Sequence, residues 1–518
     1  MGENLNDLVN QTTRGSLILL LGQVSSTVVL AIGMLLVANL LGAQSFGQFN
    51  LAQSIVSMAS LVIGLGIRPS MIKYISQYRF EGKNDQIRVL IETGVFLSLI
   101  SSGLATFIVY SLSGFIANQV YNQPEQAVFI QYLSLGIIGT SLMTLSMGIT
   151  VGYERMKLRS ILNIIYSFLK SVSSPILIYL GFGVLGAIFG HFTPVLLSGT
   201  LGLGFILVLR RNEAPATNDF THIDALKMIL VFGFPIYLTN LLNGIIPQLF
   251  ITILGTSVSD TVVGNYAAAI YFSVLLSFVT LPIGTTIFPL FSKLENNLTD
   301  LRFLYRNAVK YSTLFAYPIV VMIMAMADPI ITALFGTKYP LAPHFLRYYM
   351  LLSVVIGTGS VCNAPLLNSQ KKASYTLKST ILRFIVVTPL SFLIIPRYGV
   401  PGLLAIMFMG NFVNSIYNLT IIRRLFNFDI DWKFLVKNLA ISGTIYPVIY
   451  WLTTTLHVNV WIELVLGGTI SVTMYLLGLI LTKALTLKDY QFLRRMSRSF
   501  GPLAPLFTKF FDILIRFA

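Results

Sequence analysis

Charge is what this sequence has least of. Only 10% of its 518 residues are Asp, Glu, Lys or Arg, where a soluble domain carries roughly a quarter. A chain that is 55% apolar cannot cover a water-facing surface with so few charges, which excludes a soluble enzyme or binding module. Carboxylates are scarcest: 19 Asp and Glu stand against 35 Lys and Arg, for a formal charge of +16. The one cysteine, Cys362, sits in an apolar run, which excludes a disulfide framework and a thiolate metal centre. Four scattered histidines (His191, His222, His344, His457) lack metal-ligand spacing, so neither a metal nor another cofactor is expected. There is no Walker loop, no HExxH and no nucleophile–base spacing, so the chain does not read as an enzyme. The alternating ten-residue segments of a membrane barrel are missing too. The first apolar run, from about residue 16 to 41, is too long for a signal peptide and has no cleavage signature.

Apolar runs of about 20 residues, each long enough to cross a bilayer as a helix, recur along nearly the whole chain. They predict an all-α polytopic membrane protein with fourteen spans. Twelve fall at about 15–40, 46–67, 89–111, 128–150, 160–181, 185–209, 229–254, 265–292, 308–334, 346–367, 378–396 and 401–422. Two more, about 438–456 and 461–483, stand outside an internal repeat. The repeat shows in LLGAQSFGQFNLAQ from Leu40 and LGTSVSDTVVGNYAAA from Leu254, which place Gly47 and Gly264 217 positions apart. Gly183-Val184-Leu185-Gly186 and Gly399-Val400-Pro401-Gly402 return at an offset of 216. Two matches at nearly one offset predict two like-built halves: lobes over 1–212 and 213–430, two added helices over 431–484, and an amphipathic basic tail over 485–518. That tail carries a helical stripe of Leu506, Phe507, Phe510, Phe511, Leu514 and Phe517 and reads as lying on the membrane surface.

With the N-terminus in the cytoplasm, 31 of the 35 Lys and Arg fall on cytoplasmic connections, and only Lys338, Arg347 and Arg397 face outward. Such a split sets the orientation, with both termini inside. It also accounts for the basic charge through topology and contact with anionic lipid, without nucleic acid.

Lys170 is the one basic residue well inside a span. An embedded charge costs at least about 2.5–3.5 kcal/mol, so it faces a wet cavity or a partner unless it snorkels to the surface. In the seventh span, Asn240, Asn243 and Pro247 share a helix face, and Gln248 follows. They read as a polar, bendable cavity lining or as plain interhelical bonding. Arg14, Arg68, Lys73, Lys310 and Arg383 stand at cytoplasmic span ends. Positive-inside placement explains each singly; ringing one mouth, they would receive a phosphate. Glu92 and Asp328, embedded near span ends, read as structural carboxylates, which are tolerable there, or as groups that titrate for ion coupling; Glu463 lies outside the repeat. Gly33, Gly64 and Gly66 read as sites of close helix packing.

The stretch LLGAQSFGQFNLAQSIVSMASLVIGLGIRPSMIKYIS, the basic connection GYERMKLRSILNII from Gly152 and the two GVxG turns together resemble the polysaccharide flippases of the multidrug/oligosaccharidyl-lipid/polysaccharide exporter superfamily. The resemblance covers spans one to twelve. It implies two six-helix lobes around a cavity lined by spans one, two, seven and eight. It also implies transfer of a polyprenyl-pyrophosphate-linked oligosaccharide from the inner to the outer leaflet of the cytoplasmic membrane, by alternating access and without an ATPase domain. A polysaccharide polymerase and other assembly proteins are the partners it suggests. Two departures stand out. Members often carry a charged residue late in span seven, where this chain has Ile246, Pro247 and Gln248. The first span lacks the acidic residue of many multidrug antiporters, its large polar residues being Gln23 and Asn39. A cation-coupled multidrug exporter on the same fold is the alternative, and cavity charge separates the two: basic for a pyrophosphate, acidic and aromatic for organic cations. A polymerase or ligase would need a large outer domain, for which the short connections leave no room.

Overall fold

Helices form along the apolar runs and several bend at glycines, while the expected span 346–367 is broken by a 3-10 segment over Leu352–Thr358 and a turn before Asn363. The structure is a computed structural model describing residues 2–210, 220–294, 297–455, 458–487, 489–491 and 494, with no strand among them. The expected amphipathic stripe of the tail, the linker after residue 210 and the Arg14 side chain lie outside the described residues. Contacts divide the chain into two compact units. The first is Met1–Tyr271 with Lys338–Leu341 and Phe384–Ile406; the second is Phe272–Thr337, Ala342–Arg383 and Met407–Ala518.

The first unit contains α1 (Gly2–Val62), α2 (Ile67–Glu81), α3 (Asn84–Phe115), α4 (Gln126–Ser134), α5 (Gly136–Gly152), α6 (Met156–Leu177), α7 (Gly183–Arg210), α8 (His222–Gly255) and α9 (Asp260–Tyr271). The second contains α10 (Ser273–Lys293), α11 (Leu298–Ala325), α12 (Ala327–Phe335), α13 (Ala342–Leu351), α14 (Asn363–Ser369), α16 (Trp432–Thr455) and α17 (Val460–Leu481). Helix α15 (Ala373–Phe426) contributes to both.

Among the described residues, ten helical segments are long and apolar enough to cross a membrane. Three of them, Gly22–Val62, Met156–Leu209 and Ala373–Phe426, each cover two expected spans, because the chain turns without losing its helical run. The turns sit at Gly42 (φ 72°), at Gly181 and Gly183 (φ 94° and 54°) and at Gly399 (φ 58°). A Cβ disfavours this region of backbone space, so glycine marks the hinge. The expected span 438–456 falls on α16, which is not among those ten.

The turns carry the repeat in their geometry. Gly183 has φ 54° and ψ −131°, and its counterpart Gly399 has φ 58° and ψ −135°. Glu154 and Lys371, 217 positions apart, both turn the chain at φ 59°. Within the first unit the two repeat-related helices also meet. A Cβ on Gly47 of α1 would overlap the carbonyl of Asp260, and one on Gly264 of α9 would overlap the carbonyl of Ala43. Asp260 lies 217 positions after Ala43, as Gly264 does after Gly47, so the contact is reciprocal about a local two-fold axis. Such close backbone approach is how helices associate where no hydrophobic force separates protein from lipid.

Flanking segments strap this crossing. Gln123 donates to the Asp260 carboxylate at 2.8 Å, and Gln48 donates to Glu125 at 2.7 Å. From the 338–341 segment, Lys338 and Tyr339 each donate at 2.6 Å to the carbonyls of Asn39 and Ala38, and the Leu341 amide donates to Asn265 at 2.9 Å.

In the second unit a buried polar chain joins α11, α16 and α17. Tyr475 donates to the Leu314 carbonyl at 2.7 Å and meets Asn438 Oδ1 at 2.8 Å, while Asn438 donates to the Thr313 carbonyl at 2.9 Å. Lys310 pairs with Asp489 at 2.6 Å, both side chains being about nine-tenths buried. Tyr311 and Thr486 also donate to that carboxylate. Burial works against the charge, yet the bonds from Lys310 and Thr486 hold the Asp489 carboxyl below its ordinary value. The stability it contributes is therefore present above the usual carboxylate range and lost as pH falls through the lowered value. Lys310→Ala or Asp489→Asn should each cost about 3–5 kcal/mol, because either leaves a buried partner uncompensated. Thermal unfolding of the purified protein checks this: the double variant should fall less than the two singles combined.

Candidate functional site

The first unit encloses a cavity of about 670 Å³. Its wall is assembled from one face of each of several helices. On α8 that face is Tyr237, Leu241, Gly244 and Gln248, with Asn240 at its edge, spaced by 3, 4 and 7 as a helix face requires. Asn243 and Pro247 point off it; the Asn243 amide donates to the Thr239 carbonyl at 3.0 Å. Gln53, Ser57 and Ser60 come from α1, Thr140 and Thr144 from α5, Tyr166 and Lys170 from α6, and His191 from α7. Arg68 enters from the first turn of α2, which follows Gly66 at φ 72°.

The charge of this wall is one-sided. Arg68, Lys170 and the imidazole of His191 line it, and among the described residues no carboxylate does. Lys170 Nζ donates to the Tyr166 hydroxyl at 3.3 Å; neither Lys170 nor Arg68 has an ion pair among the described residues. Lys170 is the neighbouring charge that bears on His191. Two polar atoms of the lining residues are buried without a hydrogen-bond partner, Gln53 Oε1 and His191 Nδ1. Unmet polar groups beside unpaired cations suit a ligand that is anionic and rich in hydroxyls.

The other predicted residues are placed elsewhere. Lys73 sits over the Phe232 ring at 3.9 Å, bracing α2 on α8. Glu92 accepts from Arg88 at 3.2 Å and lies 3.8 Å from His222. In the second unit Asp328 pairs with Arg347, and Lys310 pairs with Asp489. Arg383, also there, has a buried Nε without a partner. Of the residues singled out from sequence, the cavity therefore gathers Lys170, Arg68, Asn240 and Gln248. Gln53, Tyr166 and His191 were missed. Tyr166 stood one turn before Lys170 and was legible; a lone histidine in an apolar span gives no signal of its own.

A family model described as "Polysaccharide biosynthesis protein" matches residues 36–343, more than half of the chain. The chain belongs to that family. No curated protein matches it. Among solved structures, the lipid II flippase MurJ in an inward closed conformation aligns with TM-score 0.73 at 15% identity, covering 89% of this chain and 98% of MurJ. An inward-facing multidrug resistance MATE transporter of the MOP superfamily aligns with TM-score 0.67 at 19% identity, over 77% of this chain and 94% of that one. A MOP superfamily transporter from Pyrococcus furiosus, described as having a binding pocket of reverse polarity, aligns with TM-score 0.58 at 20% identity, over 80% and 95%. This polysaccharide biosynthesis family member is thus a multi-pass membrane protein with the transporter fold of that superfamily.

Proposed function

We propose that the chain is a flippase that carries a polyprenyl-pyrophosphate-linked oligosaccharide from the cytoplasmic to the outer leaflet of the cytoplasmic membrane, by alternating access and without chemistry of its own. The observation that carries this reading is the cavity of the first unit, whose charged lining groups are cations, with no carboxylate among the described residues that line it. Such a wall attracts a pyrophosphate, and its amides and hydroxyls suit a glycan. The polyprenyl tail has no need of the cavity, because lipid surrounds the protein. Membership of a polysaccharide biosynthesis family agrees. The excess of Lys and Arg on alternate connections supports cytoplasmic termini and contact of those connections with anionic lipid. Polymerases and assembly proteins that consume the flipped glycolipid are its expected partners.

A multidrug exporter on the same fold would face organic cations, which a wall bearing Arg68 and Lys170 repels. The test is deletion of the chain followed by analysis of membrane glycolipids. A polyprenyl-pyrophosphate oligosaccharide should accumulate, shielded from probes added outside the cell. Unchanged glycolipid and polymer would refute the reading.

A further inference from the structure

The bend of α1 at Gly42 is braced by a piece of chain from far along the sequence. At φ 72° and ψ 172° the helical path is interrupted there. Among the described residues, no atom lies within 4 Å of where a Cβ on Gly42 would stand, so packing around the glycine does not hold the angle. Two arms leave the bend. The arm before it, residues 22–41, lies along α6: a Cβ on Gly33 would overlap Ser171, whose hydroxyl donates to the Val29 carbonyl at 2.8 Å. The arm after it, residues 43–62, is locked to α9 by the reciprocal glycine contact. Each side carries part of the cavity wall, Tyr166 and Lys170 on α6 and Gln53, Ser57 and Ser60 on the second arm. The angle at Gly42 therefore sets how far apart two faces of the cavity stand.

The 338–341 segment spans that angle. Carbonyls in the last turn of a helical path go short of partners, and those of Ala38 and Asn39 receive donors from Tyr339 and Lys338, each at 2.6 Å. The Tyr339 ring is buried edge-on to Phe46 at 6.3 Å and anchors the segment. Two residues on, the Leu341 amide donates to Asn265 of α9 at 2.9 Å. First arm, strap, α9 and second arm thus close a ring around the hinge. Asn265 is the repeat counterpart of Gln48, which holds Glu125 at 2.7 Å, so the polar residue after each repeat glycine seats a connection. The two connections are held differently. Glu125 stands between two helices of the first unit, whereas Lys338–Leu341 has second-unit chain on either side. Its own bonds, not chain continuity, keep it on α1 and α9. Hydrogen bonds exchange with water at small net cost, and the Lys338 side chain is exposed, so this brace is able to leave and return.

Resting on the flippase reading above, we propose that the 338–341 segment is a latch on the Gly42 hinge, which keeps the cavity of the first unit closed on its outer side while seated. The latch leaves the Ala38 and Asn39 carbonyls when the cavity opens outward to discharge the glycolipid, and it reseats when the hinge closes.

The test reads opening and transport separately. Ser57→Cys places a reporter on the cavity wall, and a membrane-impermeant maleimide labels it in right-side-out or inside-out membrane vesicles; the native Cys362 is buried. Lys338→Gln and Tyr339→Phe each remove one donor to a carbonyl. Each should raise labelling from outside about fivefold, the worth of one net hydrogen bond, without raising it from the cytoplasmic side. No rise from outside in either variant, or an equal rise from both sides, would overturn the latch. For transport, Asn39→Cys and Lys338→Cys are combined in the full-length chain and bridged with a short bismaleimide in proteoliposomes. The probe is the polyprenyl-pyrophosphate glycolipid extracted from deletion cells. The unbridged double variant should flip it and the bridged protein should not. Flipping at the same rate with the bridge in place would overturn the latch. Failure of the wild-type protein to flip this glycolipid would instead remove the flippase reading, and the vesicle labelling would still decide whether the strap closes the cavity.

Discussion

Cells whose only copy of the chain carries Lys170→Glu are expected to export at least about a hundredfold less polysaccharide while keeping normal amounts of the protein in the membrane. The size follows from the environment. A unit charge pair about 4 Å apart is worth about 4 kcal/mol at an effective dielectric near 20. The substitution removes that attraction and puts a repulsion of like size in its place. Protein level should hold because Lys170 supports no fold-critical contact: its hydrogen bond is to the Tyr166 hydroxyl on the same helix. Lys170→Gln, which removes an embedded charge, should if anything ease insertion, so it separates lost function from lost folding. Surface polymer assayed beside membrane immunoblots decides the matter. Wild-type polymer from Lys170→Glu would show that no anion approaches Lys170.

How much of this was visible beforehand depended on the range of the interaction. Span positions follow from apolar run length, a local property, so the expected spans fall on helices, with 346–367 broken by a 3-10 segment and a turn. The repeat was legible because the glycines that mark it serve backbone geometry, and Gly183 and Gly399 take nearly the same dihedral angles. Lys170 stood out because embedded charge is costly wherever it occurs. What sequence could not reveal is which helix faces meet. Asn240, Asn243 and Pro247 share a face by spacing, yet packing turns α8 so that Tyr237, Gly244 and Gln248 meet the cavity and Asn243 does not. Lys310 carried the same positive-inside signal as Arg68, but its partner Asp489 lies 179 residues away, beyond any helical periodicity.

The reciprocal glycine crossing of α1 and α9 leads to the second large effect. Gly47→Val and Gly264→Val should each destabilise the protein by about 1–3 kcal/mol or more, because the new side chain meets a backbone carbonyl rather than a side chain able to swing aside. The local symmetry predicts how the two combine. Both substitutions force apart the same pair of helices, and once α1 and α9 have separated for one valine the other enters a wider gap. The double variant should therefore lose clearly less than the two singles added together, as expected for neighbouring sites that share one backbone displacement. The singles should be close to equal, since Gly47 presses on Asp260 and Gly264 on Ala43 at equivalent positions of the repeat. Unfolding midpoints of the three variants in detergent, read by tyrosine and tryptophan fluorescence, test both statements. Full additivity, or a large loss from one glycine and none from the other, would mean that the two contacts are independent and that the two-fold axis has no energetic content. Equal, sub-additive losses would mean that the axis through this crossing holds α1 and α9 together as one element, which has to part as a unit if the cavity is to open on that side.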